Sequence, residues 1–223
     1  MREAVRTELL KARSGFWMLF VLAYTLLLPW FAWQITGAGQ DMVVYLSACP
    51  VAAAFLGSFV VTRDYYYKSI ERLVLLHRRA PVFAAKLIAG AASGFAAGMV
   101  GSVGWGAIIV AVRGVDPGAW QAFAGCLAAC TLAGALGAAI GWILPNYYVA
   151  TAVSLLVPFA LELPLGLVAP EVTRFLPASA LAGIVQAPLP GLFGPVASSA
   201  IGLGWLAFAA FTGWRLFRKR EIR

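Results

Sequence analysis

The sequence predicts an all-α integral membrane protein with six transmembrane helices. The first observation is composition: of 223 residues, 62% are hydrophobic and only 12% are charged, whereas about a quarter of a soluble domain is charged. The second is the charge layout. Five stretches without any charge run between Arg13 and Asp41, Asp41 and Arg63, Lys86 and Arg113, Asp116 and Glu162, and Arg174 and Arg215. Each is long enough to cross a bilayer, which takes about 20 apolar residues.

The N-terminal part of the chain predicts an interfacial helix followed by two spans. Residues 2–14 are amphipathic, with Val5, Leu9 and Leu10 on one side, and such a helix rests in the headgroup region. Span one covers about 16–36 and carries tryptophans at both ends, as an aromatic belt requires. Span two covers about 42–62 after a short loop.

Four further spans complete a single transmembrane domain over 1–223. Span three, about 82–112, is too long for a straight perpendicular helix, so we expect Lys86 at the interface or snorkelling to it. Spans four and five, about 118–143 and 147–169, are joined by a tight turn at Pro145 and Asn146. The Pro- and Gly-rich residues 170–194 predict short interfacial or re-entrant extracellular helices. Span six covers about 195–215 and ends in a basic tail.

The basic residues predict the orientation. All of the 17 Lys and Arg residues except Arg113 and Arg174 fall in the N-terminus, in the link between spans two and three, and in the C-terminal tail. The positive-inside rule then places both termini and this link in the cytoplasm of a multi-pass protein of the cell membrane. Topogenic charge also explains the net charge of +8 without nucleic acid as a partner.

The link contains a second amphipathic segment. Ile70, Leu73, Val74 and His77 recur at helical spacing, and the charged residues fall largely elsewhere. A short helix of this kind can lie flat on lipid or dock on a protein partner, and both readings stay open here. His77 is the only histidine, and with no partner nearby it reads as a helix-surface residue rather than a catalytic base.

The order of these parts resembles the membrane subunit of an ABC exporter of the type-2 permease family. The resemblance covers the whole chain and is diffuse. Glu8-Leu9-Leu10-Lys11 is similar to the family's opening, and Arg63-Asp64, Ser69, Glu71 and Lys86 are similar to its Arg-Glu, Thr, Glu and Lys positions. Lys68-Ser69 departs from the family's frequent Gly-Thr, and the proline that the family has near His77 comes only at Pro81.

The resemblance implies a permease that exports an amphipathic substrate such as a peptide, an antibiotic or a lipid-like molecule. It makes the link a cytoplasmic coupling helix that contacts an ATPase through Arg63, Asp64, Lys68, Ser69, Glu71, Arg72 and His77. The chain has no phosphate-binding loop of the form Gly-x-x-x-x-Gly-Lys-Ser/Thr. ATP and Mg²⁺ would therefore bind a separate subunit, this chain would be no enzyme by itself, and it would pair with a second copy or a related permease.

Glycines form rows in two of the predicted spans. Gly90, Gly94 and Gly98 repeat every four residues in span three, as Gly137 and Gly141 do in span four. Small residues at this spacing allow close approach of helices. Packing within one subunit, a lining of the translocation route and a dimer seam are the alternatives.

Glu162 is the one acidic residue placed well inside a span. An ionisable group at that depth is costly and is a functional candidate. It can contact a cationic substrate in the pathway or form an internal hydrogen bond. The alternative is a broken span five that leaves Glu162 in a wet pocket near the outer surface.

Two other classes of protein remain open. A membrane-embedded enzyme acting on lipid needs clustered acids, histidines or a nucleophile–base pair, and the sequence offers only Asp64, Glu71 and His77 in one region. An ATP-independent carrier often has internal repeats with broken helices in both halves, whereas the breaks here concentrate in 145–195; a non-catalytic scaffold is the further possibility. No catalytic or metal-binding residue is predicted. The three cysteines fall inside spans, where small packing residues are common.

Overall fold

The computed structural model describes residues 2–13, 46–113, 120–187 and 191–220, together with Thr25, Leu27 and Trp30. Predicted span one therefore lies almost wholly outside the described residues. The described ranges form helices with the following bounds: α1 Arg2–Arg13, α2 Cys49–Tyr66, α3 Ile70–His77, α4 Arg79–Arg113, α5 Trp120–Ile143, α6 Tyr147–Val157, a π-helical segment Pro158–Glu162, α7 Leu163–Val168, α8 Pro170–Thr173, α9 Pro177–Val185 and α10 Pro195–Lys219. The prediction of an all-helical protein is confirmed for this part of the chain.

Among the residues that the structure describes, three helices are long and apolar enough to cross a membrane: Arg79–Ile108 of α4, Gln121–Ile143 of α5, and α10. A fourth candidate is a bent pair, Tyr147–Val157 and Ala160–Gly166, whose axes differ by 41°. Helix α2 is not among them because it ends in the charged and polar residues Arg63-Asp64-Tyr65-Tyr66. Length and composition thus confirm that three of the described helices, or four if the bent pair is one span, can cross a membrane, and the count of six spans stays a prediction.

Helix α5 is the centre of the packing. It contacts α2, α4, α9 and α10. Of the most apolar 18 residues of this helix, 61% are buried inside the protein, against 22% for α10. Glycines make these contacts close. A Cβ built on Gly137 would overlap the carbonyl oxygen of Ala54 in α2, and one on Gly94 would overlap the carbonyl of Cys130 in α5. The same test places Cβ atoms of Gly90, Gly98 and Gly141 at 2.7 Å from Ala138 Cβ, 3.0 Å from Cys130 Cβ and 2.9 Å from Val61 Cβ.

A cluster of aromatic side chains joins the helices at one end of the bundle. Trp142 of α5 and Phe217 of α10 are fully buried, with ring centroids 4.3 Å apart, and Phe83 of α4 lies 5.2 Å from Trp142. The Arg220 guanidinium donates to the carbonyls of Trp142 and Ile143, both at 2.9 Å. A cation on the last carbonyls of a helix is favourable, so the start of the basic tail is attached to the end of α5.

Predicted span five is interrupted. Asn146 begins it as an N-cap, accepting hydrogen bonds from the backbone N–H groups of Tyr148 and Val149, which is the role that asparagine favours at that position. Regular α-helix ends at Val157, before Pro158, and the π-helical segment leads into α7. Prolines inside helices break the hydrogen-bond ladder and bend the axis. The short helices α8 and α9 occupy the region where the sequence predicts them.

Candidate functional site

The candidate site is a buried charge cluster where α1, α2 and α4 meet, formed by Glu8, Lys11, Asp64 and Lys86. The Lys86 side chain is fully buried. Its Nζ donates to Glu8 Oε2 at 2.9 Å, to Asp64 Oδ2 at 2.6 Å and to the carbonyl of Val60 at 2.8 Å. An ammonium has three donors, so every one of them has an acceptor. Of the two alternatives expected for Lys86, snorkelling is wrong, because the side chain is fully buried and its charge is compensated inside the protein. A position at the level of the interface stays a prediction.

Lys11 is the second lysine of the cluster and lies on its outer, partly exposed side. Lys11 Nζ lies 3.1 Å from Glu8 Oε1 and 3.3 Å from Asp64 Oδ2, and its side chain is 31% exposed. Two carboxylates therefore face two ammonium groups, and the cluster is neutral. A buried ionic group is tolerated only when it is paired and hydrogen-bonded in this way.

Asp64 links the cluster to the segment that follows it. Its Oδ1 accepts a hydrogen bond from Ser69 Oγ at 2.7 Å, and its backbone carbonyl accepts one from the Ser69 N–H at 2.9 Å. Burial raises the pKa of Asp64, but the attraction of Lys86, its hydrogen bond, the charge of Lys11 and the Ser69 hydroxyl together lower that pKa below its ordinary value. Asp64, which follows predicted span two, thus stays ionised at neutral pH.

Acid should weaken the contribution of the ionised Asp64 side chain to the stability of the fold. A carboxylate whose pKa is lowered by folding stabilises the folded state above the unfolded pKa, and this stabilisation is lost as the pH falls through the folded-state pKa. We expect the difference in Tm between the wild type and Asp64→Asn, measured in detergent, to be largest at neutral pH and to close as the pH falls through the lowered pKa of Asp64. A difference that stays constant over that range would show that the ionised state of Asp64 does not stabilise the fold.

Helix α1 brings Glu8 into the cluster by turning its small and charged side inward. Ala4 and Glu8 are buried, while Leu9 and Leu10 are 41% and 55% exposed. The helix contacts α4, which carries Lys86. Leucines on the outer side fit a helix that rests against lipid, with the ion pairs holding its other side to the protein.

The link helix α3 packs on its own bundle. Ile70 and Leu73 are buried in one cluster with Val61, Val82, Ala138, Trp142 and Phe217. Ile70 and Leu73 of the apolar face predicted from periodicity are therefore covered by α2, α4, α5 and α10, while Val74 and His77 of the same face are half-buried. The outer side of α3 exposes Arg72 together with Leu75 and Leu76, which are 86% and 75% exposed.

Six of the seven residues predicted for coupling to an ATPase divide into two groups. Asp64 and Ser69 belong to the buried cluster or contact it. Lys68 and Arg72 are exposed, and Glu71 and His77 are half-buried on α3. Arg63 lies apart from both groups, with its guanidinium 5.7 Å from the ring centroid of Phe59.

Sequence reasoning did not place Glu8, Lys11 and Lys86 in one site. Two signals were available: Glu8 and Lys11 stand at i and i+3 on one helix, and Lys86 lies inside a largely apolar segment. Helical spacing alone does not tell which distant helix supplies the partner, since Glu8 and Lys86 are separated by 78 positions.

Glu162 has an internal partner. It is 6% exposed, and its Oε2 accepts hydrogen bonds from the backbone N–H groups of Ala178 at 2.9 Å and Ser179 at 3.3 Å. These are the first free N–H groups of α9, because Pro177 has none. Glu162 therefore caps α9 and joins it to the broken span, while a contact with substrate stays a prediction.

Substitutions at Glu162 test whether this residue stabilises the fold by accepting hydrogen bonds from the start of α9. Glu162→Gln keeps an oxygen that accepts from Ala178, so we expect it to lower the free energy of unfolding by less than about 1 kcal/mol. Glu162→Ala removes the cap and should cost about 1–2 kcal/mol. Unfolding in mixed detergent and SDS micelles measures both values. Equal losses for the two variants would contradict the capping role.

Comparison of the chain with protein-family models and with curated proteins gives no match. The fold and the site therefore define the class of protein by themselves. It is a helical protein whose long apolar helices suit a membrane. Buried charges hold its N-terminal helix to the bundle, and the aromatic cluster holds its link helix.

Proposed function

We propose that the chain is the permease subunit of an ATP-driven ABC exporter of the cell membrane. The single observation that carries this proposal is the attachment of α3. The start of α3 is tied to the charge cluster through Ser69 and Asp64, and its apolar face is packed on the aromatic cluster. A force applied to α3 would move the ends of α1, α2 and α4 with it, which is what a coupling element has to do.

The outer side of α3 provides the surface for an ATPase. Lys68 and Arg72 are exposed, and Leu75 and Leu76 form an exposed apolar pair on the same short helix. Apolar residues beside charges are typical of protein contacts. ATP and Mg²⁺ would bind the partner subunit, and the amphipathic substrate would pass between this chain and a second permease, either a copy or a related chain.

The proposal includes six spans with both termini and α3 in the cytoplasm. The basic residues of the three clusters support that topology, and the described helices α4, α5 and α10 agree with three of the six spans. Reporter fusions at the N-terminus, after His77 and at the C-terminus test it. All three reporters should respond as cytoplasmic, and termini on opposite faces would contradict the topology.

Copurification tests the function itself. The full chain, tagged and expressed in its native host, should recover a protein with a phosphate-binding loop, and the complex should hydrolyse ATP. The double charge reversal Glu71→Arg/Arg72→Glu should lower recovery of that subunit at least fivefold, whereas Arg215→Glu, at the exposed end of α10, should leave recovery unchanged. Recovery of the ATPase at the wild-type level with the α3 variant would show that α3 does not contact it. If the wild-type chain recovered no subunit with a phosphate-binding loop, the transporter class would be rejected.

A further inference from the structure

The link helix α3 lies between two backbone bends that are unusual for the residues that form them. Lys68, just before the helix, has a φ of 53°, and Arg78, directly after it, has a φ of 64° and a ψ of 166°. Residues with a Cβ atom rarely adopt such positive φ angles, which glycine adopts readily. A strained conformation of this kind persists only where the surrounding structure holds it in place. Both ends of α3 therefore depend on contacts outside the helix.

The charge cluster holds the first bend. Ser69 Oγ donates to Asp64 Oδ1 at 2.7 Å, and the Ser69 N–H donates to the backbone carbonyl of Asp64 at 2.9 Å. Asp64 is itself bound by Lys86 at 2.6 Å, so the residue before α3 is tied to the buried end of α2. Helix α3 has only eight residues and is too short to be stable alone. Its second end needs an attachment of its own.

Arg79, the first residue of α4, supplies the attachment at the second bend. Its Nη1 donates to the carbonyl of Arg218 at 2.5 Å, and its Nη2 donates to the carbonyl of Arg220 at 3.1 Å. The guanidinium also lies 5.9 Å from the ring centroid of Phe217. These partners all belong to residues 217–220 at the end of α10, where the last carbonyls of a helix need outside donors. We call residues 217–220 the C-terminal strap.

The C-terminal strap is itself fixed to the bundle. The Arg220 guanidinium donates to the carbonyl of Trp142 at 2.9 Å, at the end of α5. The buried ring of Phe217 lies 4.3 Å from that of Trp142, in the same cluster that covers Ile70 and Leu73 of α3. The strap therefore contacts the bend after α3 through Arg79 and shares a core with the apolar face of the helix.

We propose that the C-terminal strap holds α3 in its position through Arg79. While this contact is made, the bend at Arg78 is kept and the exposed side of α3 has one orientation. When the contact is lost, the strain at Arg78 is relieved by movement of α3, and the long helices stay packed. The end of the chain thus sets the position of a link helix that lies more than 130 positions earlier, since Arg79 and Phe217 are 138 residues apart. The inference does not rest on the proposed transport function, because it concerns what holds α3 and not what binds it.

Hydrogen–deuterium exchange of the full chain in detergent micelles, read by mass spectrometry, tests the strap. Arg79→Gln removes the guanidinium, and the amides of α3 should then exchange about tenfold faster, as expected for the loss of hydrogen bonds from a charged group. The amides of α5 should exchange at the wild-type rate, because the close contacts of α5 at Gly94 and Gly137 lie elsewhere. Wild-type exchange of α3 in Arg79→Gln would overturn the proposal.

Arg218→Gln is the matched control. Arg79 binds the backbone carbonyl of Arg218, which glutamine keeps, and the side chain of Arg218 is exposed. This variant therefore loses the same charge as Arg79→Gln but retains the strap, and its α3 should exchange at the wild-type rate. Equal acceleration in the two variants would mean that net charge controls α3, which contradicts the strap.

A second substitution at Arg79 covers the case in which α5 also loses protection in Arg79→Gln. Arg79→Lys keeps the charge, but an ammonium is a point charge and does not span two carbonyls as the planar guanidinium does. The amides of α3 should still exchange faster than in the wild type, with α5 protected. Wild-type exchange of α3 in Arg79→Lys would then reject the strap.

Two substitutions at Arg78 test the strain on which the proposal depends. Arg78→Gly and Arg78→Ala both remove the side chain beyond Cβ, but only alanine keeps the Cβ atom that disfavours a positive φ. The glycine variant should therefore have the higher Tm in detergent. An equal or higher Tm for the alanine variant would show that the bend after α3 is not strained and would contradict the proposal.

Discussion

Lys86→Met should lower the free energy of unfolding by about 3–5 kcal/mol, the usual effect of removing one partner of a buried ion pair. Methionine has a similar length, so the packing volume is nearly kept. The loss arises because Glu8 and Asp64, which are 4% and 5% exposed at the side chain, remain buried with Lys11 as their one remaining cation in the cluster. Thermal unfolding in detergent and titration with SDS in mixed micelles measure the change.

Two comparison variants separate charge from packing. Lys11→Met, at the outer edge of the cluster, should cost less than Lys86→Met, because the side chain of Lys11 is 31% exposed and that of Lys86 is fully buried. The double variant Asp64→Asn/Lys86→Met removes one charge of each sign and leaves the pair Glu8 and Lys11, so it should be less destabilised than the sum of its single variants. Additive losses would show that the charges do not depend on one another and would contradict the cluster.

Gly137→Ala should lower the free energy of unfolding by about 1–3 kcal/mol, as overpacking of a tight interior does. The added methyl group would overlap the carbonyl oxygen of Ala54, which belongs to the backbone and has no rotamer to change. Helices α2 and α5 would have to move apart. This loss would exceed the gain of about 1 kcal/mol that alanine has over glycine in a helix.

Gly204→Ala is the matched control for this variant. Gly204 is also helical, but it is exposed on α10, and a Cβ there meets no atom within 4 Å. The substitution should leave stability unchanged or raise it by about 0.4–1 kcal/mol. If both alanine variants behaved alike in SDS titration, the close approach of α2 and α5 at Gly137 would not be a determinant of stability.

The helical class and the positions of the breaks could be predicted from the sequence. Apolar length sets α4, α5 and α10, because each must bury or present a long apolar surface to lipid. The turn at Pro145 and Asn146 follows from local chemistry, namely an absent donor and a capping amide. The interruption at Pro158 is one of two alternatives that the sequence leaves open for span five, and the structure decides between them. The glycine rows likewise indicated close packing from their spacing, although their partners were not indicated.

What covers each face was decided by the tertiary structure. Periodicity showed that α3 has an apolar face. It could not show what covers that face, because lipid, a protein partner and the chain's own bundle all offer apolar surfaces. The tertiary structure packs Ile70 and Leu73 with Trp142 and Phe217. The same holds for charge. The sequence places Glu8, Asp64 and Lys86 far apart along the chain, and an attraction between distant positions leaves no periodic signal. Only the meeting of α1, α2 and α4 brings them, with Lys11, into one neutral site.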